Sequence, residues 1–237
     1  MVNVKNQRLL IIAPHPDDEI IGCGGLIQKI KDKGGKVFVL FLTVGDTQDF
    51  SKTRKSSAIK RKKEIEKVAS FLKYDKYDIA LEGERYHLKL DLLGQKKLMD
   101  IIERESTVAI EKVKPTIIAF PSFYSYNQDH RVAAEATFAA VRPSNREAKH
   151  FIPTVLSYEE PADLWNKTQQ ILPNVFVPIT EKETSIKLKA MHFYRSQLRM
   201  FPNLRSSKAL QTLAVLRGAQ AGREFAEAFV NYRIVLD

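Results

Sequence analysis

The sequence contains very little cysteine and no long apolar run. Its 237 residues include one cysteine, Cys23, which excludes an intramolecular disulfide and a zinc site built from four thiolates. The first apolar run, residues 9–14, is too short for the hydrophobic part of a signal peptide or for a membrane span. We therefore expect a cytoplasmic protein, held in a reducing compartment, without a transmembrane segment.

Linkers, internal repeats and low-complexity tracts are also missing, so we expect a single domain over residues 1–237. Hydrophobic residues make up 44% of the chain and charged residues 28%. This balance is ordinary for a globular protein and argues against disorder, because the apolar content can offset the conformational entropy of the chain.

Acidic residues are scarce in two stretches, and the positive charge is concentrated there. The chain carries a net charge of +10, while residues 51–76 and residues 189–223 each carry +7. Such segments attract anionic partners, for example a phosphorylated sugar, a nucleic acid or an acidic membrane surface. The alternative is a solvated basic face whose lysine stems cover apolar surface. Neither segment has the aromatic and glycine pattern of nucleic-acid modules, so we expect no nucleic-acid partner.

The order of the apolar segments predicts an α/β fold. Predicted strands alternate with predicted helices, which indicates a mostly parallel sheet with helices on both faces. The strands are predicted at residues 8–14, 36–43, 78–81, 116–120, 154–158, 175–179 and 230–236. The helices are predicted at residues 20–33, 57–72, 95–114, 130–141, 181–199 and 207–221.

Two polar clusters follow predicted strands, where ligands gather in open α/β sheets. The first, residues 15–19 (HPDDE), comes directly after the first strand, and the second, residues 127–130 (NQDH), follows the strand that ends at Phe120. Acidic residues at a helix start also serve as N-caps and complement the helix dipole. Capping, however, explains neither His15 nor the second His–Asp pair.

A divalent metal would explain both clusters. A catalytic zinc binds three protein ligands drawn from His and Asp or Glu, and it keeps a further position for water. His15, Asp18 and His130 would supply two imidazoles and one carboxylate. The ion lowers the pKa of its water toward neutrality, and Asp17 could face that water as the general base. Asp129 would orient a ring or an amide nearby.

The string IIAPHPDDEIIGCGG, residues 11–25, resembles the signature of the PIG-L/LmbE-like N-acetyl-sugar deacetylases, an Ala-x-His-Pro-Asp-Asp-Glu turn. The resemblance implies a Rossmann-like three-layer α/β sandwich and a zinc-dependent enzyme that removes acetyl from an N-acetylglucosamine-type sugar. It also implies that His15, Asp18 and His130 bind Zn²⁺. By the same resemblance, Asp17 is the base and Asp129 supports an active-site partner.

Weaker parts of the resemblance lie elsewhere in the chain. Arg61-x-x-Glu64 is similar to an Arg-x-x-Glu helix of the family, whose arginine lies near the substrate, and fainter matches occur at residues 196–197 and 226–229. Asn127 is a departure, because several members carry a histidine there. Asparagine can donate a hydrogen bond to a developing oxyanion but cannot transfer a proton, so Asp17 would have to serve both proton transfers.

Two alternatives to the deacetylase remain open at this point. One is a metallophosphoesterase, because five side chains could hold two metals: Asp17, Asp18, Asp46, Asp129 and His130. No Asn-His-Glu follows Gly45-Asp46, which argues against it. The other alternative is a non-catalytic module that binds acidic polymers through the two basic segments.

The remaining histidines and the partners are less constrained. His87, His150 and His192 have no partner motif, and we expect ordinary surface or core residues. The expected partner is a small-molecule or glycoconjugate substrate, and the basic segments favour an anionic one. The identity of the sugar and the number of subunits stay open, a homo-oligomer included.

Overall fold

A seven-stranded sheet lies at the centre of the computed structural model, which describes residues 4–48, 55–145, 147–165 and 172–235. The strands are β1 (Arg8–Ala13), β2 (Lys36–Val44), β3 (Thr47–Gln48), β4 (Lys55–Ser56), β5 (Lys76–Glu82), β6 (Ile117–Phe120), β7 (Thr154–Tyr158), β8 (Val175–Ile179) and β9 (Phe225–Ile234). The sheet order is β5-β2-β1-β6-β7-β9-β8, and β3 and β4 pair separately. Strand β9 runs antiparallel to its neighbours β7 and β8, whereas the other pairs of this sheet are parallel, as predicted.

Helices cover both faces of the sheet. They are α1 (Asp18–Asp32), α2 (Ala58–Leu72), α3 (Gln95–Asp100), α4 (Ile110–Val113), α5 (Gln128–Ala140), α6 (Glu181–Met191) and α7 (Ser207–Gln220). Alternate side chains of β1 enter two separate apolar cores. Leu9 and Ile11 pack with α1, α2 and α6, whereas Leu10 and Ile12 pack with α3 and α5. This arrangement confirms the predicted three-layer α/β sandwich. None of the described helices is long and apolar enough to cross a membrane.

Strand β1 occupies the middle of the sheet and sets the position of the polar clusters. From Leu9 to Ala13 it is fully buried, as a strand covered by helices on both faces requires. It pairs in parallel with β2 on one side and with β6 on the other. The carboxyl ends of β1 and β6 are therefore adjacent, and the loops that follow them meet.

The predicted helix over residues 95–114 is interrupted. It widens into a π-helical turn at Ile101–Glu105 and breaks at Ser106, whose hydroxyl donates to Asp78 Oδ2 at 2.7 Å. The backbone N–H of Thr107 donates to the same oxygen at 2.7 Å. The prediction was wrong because the carboxylate of Asp78 on β5 competes with the helix for these donors.

Two other boundaries also differ from the prediction. The predicted helix over residues 181–199 ends at Met191, and turns follow it, because the backbone N–H of Ser196 donates to the carboxylate of Glu64 on α2. Strand β9 starts at Phe225, five residues before the predicted start. The charge of Glu227 hides this part of the strand in the sequence pattern.

Glu227 connects β9 to the middle of α1. Its carboxylate accepts the backbone N–H groups of Gly25 and Leu26 at 2.8 and 2.7 Å. Lys187 on α6 forms a buried ion pair with it at 2.7 Å and also donates to the carbonyl of Ile21. A Cβ atom at Gly25 would lie 2.8 Å from Ile179 Cγ2 and 3.2 Å from the Glu227 carboxyl carbon, so glycine permits the close packing at this position. The contact anchors the helix that carries the first polar cluster.

We expect Glu227→Ala to lower the free energy of unfolding by about 3–5 kcal/mol, because it leaves the ammonium of Lys187 buried without its carboxylate. Chemical denaturation followed by circular dichroism measures this change. Glu224→Ala, the same substitution at an exposed position just before β9, is the matched control and should stay within about 0.5 kcal/mol of the wild type. Equal stability of the two variants would show that the ion pair does not anchor α1.

Candidate metal centre and active site

Three side chains from the two polar clusters converge at the carboxyl end of the sheet: His15, Asp18 and His130, which we call the metal triad. Asp18 Oδ2 lies 3.5 Å from His15 Nδ1 and 3.3 Å from His130 Nε2. The possible ligand atoms all lie within 4.8 Å of one another, and the three residues are buried. The structure thus brings together the three ligands that the sequence predicts.

The turn that carries the triad has an unusual backbone. Asp17 has a φ of 112°, in a region that side-chain-bearing residues rarely adopt. Its carbonyl accepts the N–H groups of Ile20 and Ile21 at 3.0 and 2.9 Å, which starts α1 immediately. The Asp18 carboxylate accepts the backbone N–H of His15 at 2.8 Å. Such strained residues concentrate at functional sites, where surrounding contacts hold them.

Asp129 determines which nitrogen of His15 faces the triad. Its Oδ2 lies 2.9 Å from His15 Nε2, and its Oδ1 accepts the backbone N–H of Leu90 at 3.0 Å. A carboxylate only accepts, so Nε2 of His15 carries a proton, and Nδ1 is the nitrogen that faces Asp18. This is the arrangement in which a carboxylate orients a metal-binding histidine.

The donor set of the triad fits a divalent cation such as zinc, for which imidazole nitrogen and carboxylate oxygen are common ligands. Although burial opposes ionisation, hydrogen bonds and charges from Asp129 and Asp18 raise the pKa of His15. Burial alone would raise the pKa of Asp18, but the imidazoles of His130 and His15 hold it well below its usual range. Lone pairs that face one another in a buried site need a proton or a cation between them.

Asp17 lies beside the triad without joining it. Its side chain is buried, and Oδ2 has no hydrogen-bond partner among the described residues. Burial raises the pKa of Asp17 to about 6, although the charge of Arg205 opposes this change. The nearest approach of that arginine is 3.9 Å, from Nε to Asp17 Oδ2. A carboxylate in this state can accept a proton from water near neutral pH.

Arg61 contacts the turn and also His87, which the sequence analysis expects to be an ordinary surface or core residue. Its Nη2 donates to the carbonyl of Pro16 at 3.4 Å, and its Nη1 lies 3.0 Å from His87 Nε2. The His87 ring packs edge-on against His15, with 5.5 Å between the ring centres. Burial and the charge of Arg61 lower the pKa of His87 to about 3, so the ring is neutral. His87 belongs to the wall of the site, although no motif surrounds it in the sequence.

Asn127 and Glu160 border a small cavity next to His130. Asn127 caps α5, because its Oδ1 accepts the backbone N–H of Asp129 at 3.0 Å. This bond leaves the amide NH₂ as the donor group of the side chain. Glu160 Oε1 lies 3.9 Å from His130 Nδ1, and burial, followed by the charge of Asp18, raises the pKa of Glu160 well above its usual range. Nothing in the sequence around Glu160 indicates this position.

Asp46, which the phosphoesterase hypothesis needs, has other partners. Its carboxylate accepts the backbone N–H of Ala58 at 2.8 Å and pairs with Lys55 at 2.7 Å. Within the described parts of the chain, the metal triad is the one group of three potential ligands that could hold an ion. His150 and His192 bind the Pro115 carbonyl and the Ser207 hydroxyl instead. The geometry favours one ion per chain.

Comparison with known families matches residues 10–141 to the model of the GlcNAc-PI de-N-acetylase family, PIG-L. The match covers more than half of the chain and includes both polar clusters. The chain belongs to this family. The resemblance found in the sequence is therefore confirmed.

Individual relatives agree with this assignment. The diacetylchitobiose deacetylase of Thermococcus kodakarensis is 29% identical over 231 residues, which cover 93% of this chain and 81% of the relative. The N,N'-diacetylchitobiose deacetylase from Pyrococcus horikoshii, solved with its inhibitor MPG, has a TM-score of 0.67 at 25% identity and covers 97% of this chain and 87% of that one. The conserved protein TT1542 from Thermus thermophilus has a TM-score of 0.72 at 23% identity, covering 98% and 97%, and supports the fold. Family and relatives together support an enzyme of the deacetylase class.

We expect Asp129→Asn to weaken the binding of Zn²⁺, used as the probe ion, by about 10- to 100-fold. The amide can donate as well as accept, so it no longer fixes the proton of His15 on Nε2. Competition with a chromogenic chelator measures the affinity.

Asp91→Asn is the matched control, because Asp91 is exposed and accepts a hydrogen bond from Gln128 in the same part of the chain. Its affinity should equal that of the wild type. If Asp129→Asn also bound zinc with unchanged affinity, Asp129 would not orient a metal ligand.

Proposed function

We propose that this protein is a zinc-dependent hydrolase that removes the N-acetyl group from an N-acetylglucosamine-type sugar or glycoconjugate. One observation carries the proposal: two imidazoles and one carboxylate converge in a buried site beside Asp17, whose Oδ2 has no hydrogen-bond partner in the described structure. The family and the deacetylases among the relatives support an acetamide as the group that reacts. The alternative of a module for acidic polymers would leave this buried cluster without a role.

In the proposed site, His15, Asp18 and His130 would hold the zinc ion. Bound zinc supplies Lewis acidity, which makes water nucleophilic near neutral pH and polarises a carbonyl group. Asp129 keeps His15 in the tautomer that leaves Nδ1 unprotonated. Glu160 lies behind His130 on the side away from Asp18.

Asp17 is the proposed general base. Its carboxylate accepts a proton from the attacking water while a C–O bond forms at the acetyl carbon. The C–N bond then breaks, and Asp17 returns the proton to the departing nitrogen, so the products are acetate and an amino sugar. A pKa raised to about 6 by burial suits both directions of transfer near neutral pH.

Asn127 and Arg61 are proposed on the substrate side. The amide NH₂ of Asn127 would donate to the oxygen that gains negative charge, and the bond from the Asp129 backbone N–H to its Oδ1 supports this orientation. The amide of Asn127 is not acidic enough to transfer a proton, which is why Asp17 serves both steps. For Arg61, the hydrogen bond from its Nη1 to Thr47 Oγ1 at 3.0 Å supports this placement, because Thr47 lines the open groove next to the site.

We also propose that residues 1–237 form one domain. The hydrogen bond from the backbone N–H of Gly25 on α1 to Glu227 on β9 supports this, since it joins the first helix to the last strand. The approach of Arg205 to Asp17 joins them a second time. The cytoplasmic location stays a prediction.

We expect Asp17→Asn to lower kcat by about 10²- to 10⁴-fold, because the amide cannot accept the proton of water. Zinc content should stay at the wild-type level, since Asp17 is not a member of the triad. Acetate release from diacetylchitobiose and from N-acetylglucosamine 1-phosphate, together with metal analysis, measures both quantities.

Asp32→Asn, at the exposed end of the same helix, is the matched control. A chelator should abolish acetate release by the wild type, and added Zn²⁺ should restore it. Wild-type turnover in Asp17→Asn would remove this residue from the mechanism, and full activity after metal removal would refute the zinc hydrolase.

A further inference from the structure

Arg205 lies where the small cavity next to His130 meets the larger open groove. Its side chain lines both spaces, and Asn127 and His130 line the small cavity with it. The groove has a volume of about 620 Å³, which is in the range of ligand pockets. A substrate that reaches His130 through the groove therefore passes the guanidinium of Arg205.

One side of this guanidinium approaches the proposed base. Arg205 Nε lies 3.9 Å from Asp17 Oδ2, which is beyond hydrogen-bond distance. That oxygen is buried and has no hydrogen-bond partner among the described residues. The guanidinium thus attracts the carboxylate of Asp17 without donating a hydrogen bond to it.

A chain of hydrogen bonds that begins on α2 holds the other side of the guanidinium. The carboxylate of Glu64 accepts the hydroxyl of Ser196 at 2.5 Å, and Nε2 of Gln197 donates to the same hydroxyl oxygen at 3.1 Å. Gln197 Oε1 in turn accepts Nη1 of Arg205 at 3.0 Å. Glu64, Ser196 and Gln197 are all buried, so the fold itself fixes the position of the positive charge.

Negative charge moves between two neighbouring groups in the proposed reaction. Before the attack it resides on the carboxylate of Asp17. When the oxygen of water bonds to the acetyl carbon, a proton of that water passes to Asp17, and one electron pair of the C=O bond moves onto the acetyl oxygen. The charge thus leaves Asp17 and appears on the acetyl oxygen. Asn127, the side-chain donor proposed for that oxygen, is uncharged.

A guanidinium next to both groups can stay paired with this charge throughout the step. It remains protonated and has five N–H donors, and the hydrogen bond to Gln197 uses Nη1, which leaves Nε and Nη2 for a ligand. We propose that Arg205 is a catalytic residue, which donates to the acetyl oxygen as that oxygen becomes negative. A fixed donor of this kind stabilises the transition state more than the ground state. This inference rests on the proposed deacetylation and adds a charged donor to it.

We expect Arg205→Gln to lower kcat for acetate release from diacetylchitobiose by about 10²- to 10³-fold, as the loss of an oxyanion donor does, with KM within about threefold of the wild type. Gln197→Met removes the acceptor that positions the arginine and should lower kcat by about tenfold. Arg223→Gln is the matched control, because Arg223 is exposed and lines neither space, and it should keep the wild-type kcat. Zinc content and circular dichroism report whether each variant is folded.

Two derivatives of glucosamine separate the effect of charge from that of shape. The methylphosphonamide is tetrahedral and anionic, like the acetyl group during the attack, whereas the methanesulfonamide is tetrahedral and neutral. Neither compound can release acetate, so calorimetry on the zinc-loaded protein gives Kd for both. We expect Arg205→Gln to weaken binding of the anionic derivative by about the factor lost in kcat, and binding of the neutral one by less than about threefold.

The outcomes separate this inference from the proposed function. A higher KM at unchanged kcat would assign Arg205 to ground-state binding and overturn the inference, and so would equal weakening of both derivatives or of neither. Acetate release that Arg205→Gln leaves at the wild-type rate would overturn it and leave the deacetylase standing. If no compound released acetate while Arg205→Gln still weakened only the anionic derivative, the contact would be supported and the deacetylase refuted.

Discussion

The carboxylate of Asp18 lies between two imidazoles in a site that water hardly reaches, and most of the surrounding structure serves this arrangement. A buried negative charge is costly unless a positive partner or several hydrogen bonds compensate it. Here the imidazoles of His15 and His130 lie 3.5 and 3.3 Å from one oxygen of Asp18. They can do so because β1 and β6 are neighbours in the sheet. A divalent cation among these atoms would meet the same electrostatic need and would supply chemistry as well.

Contacts from distant parts of the chain keep the strained turn in place. Glu19 is fully buried, and its carboxylate accepts the Tyr194 hydroxyl at 2.6 Å, the Tyr74 hydroxyl at 3.2 Å and the backbone N–H of Asp17 at 3.1 Å. Burial raises the pKa of Glu19 to about 8. Arg61 supports the same turn from below through the Pro16 carbonyl. These hydrogen bonds come from different elements of the fold, so they hold the turn in position before any ligand binds. Efficient catalysis requires such preorganisation.

Sequence analysis predicts the parts of this site that are encoded by short local strings. The run of apolar residues in β1 predicts a buried strand, and the acidic and histidine residues that follow β1 and β6 predict the triad. Such analysis does not identify His87 and Arg205. His87 contacts Arg61 and Arg205 approaches Asp17, and in both pairs the two residues are far apart in the sequence. The break at Ser106 has the same origin, since the competing carboxylate belongs to another strand. Side-chain hydrogen bonds over long range have no periodic signature.

The most direct test of the central claim is a crystal structure of the zinc-loaded protein with data collected at the zinc absorption edge. The account predicts one anomalous peak per chain, about 2.0 Å from His15 Nδ1, from His130 Nε2 and from an oxygen of Asp18, with Asp129 still bound to His15 Nε2. A zinc ion bound elsewhere, or bound through the other nitrogen of His15, would contradict it.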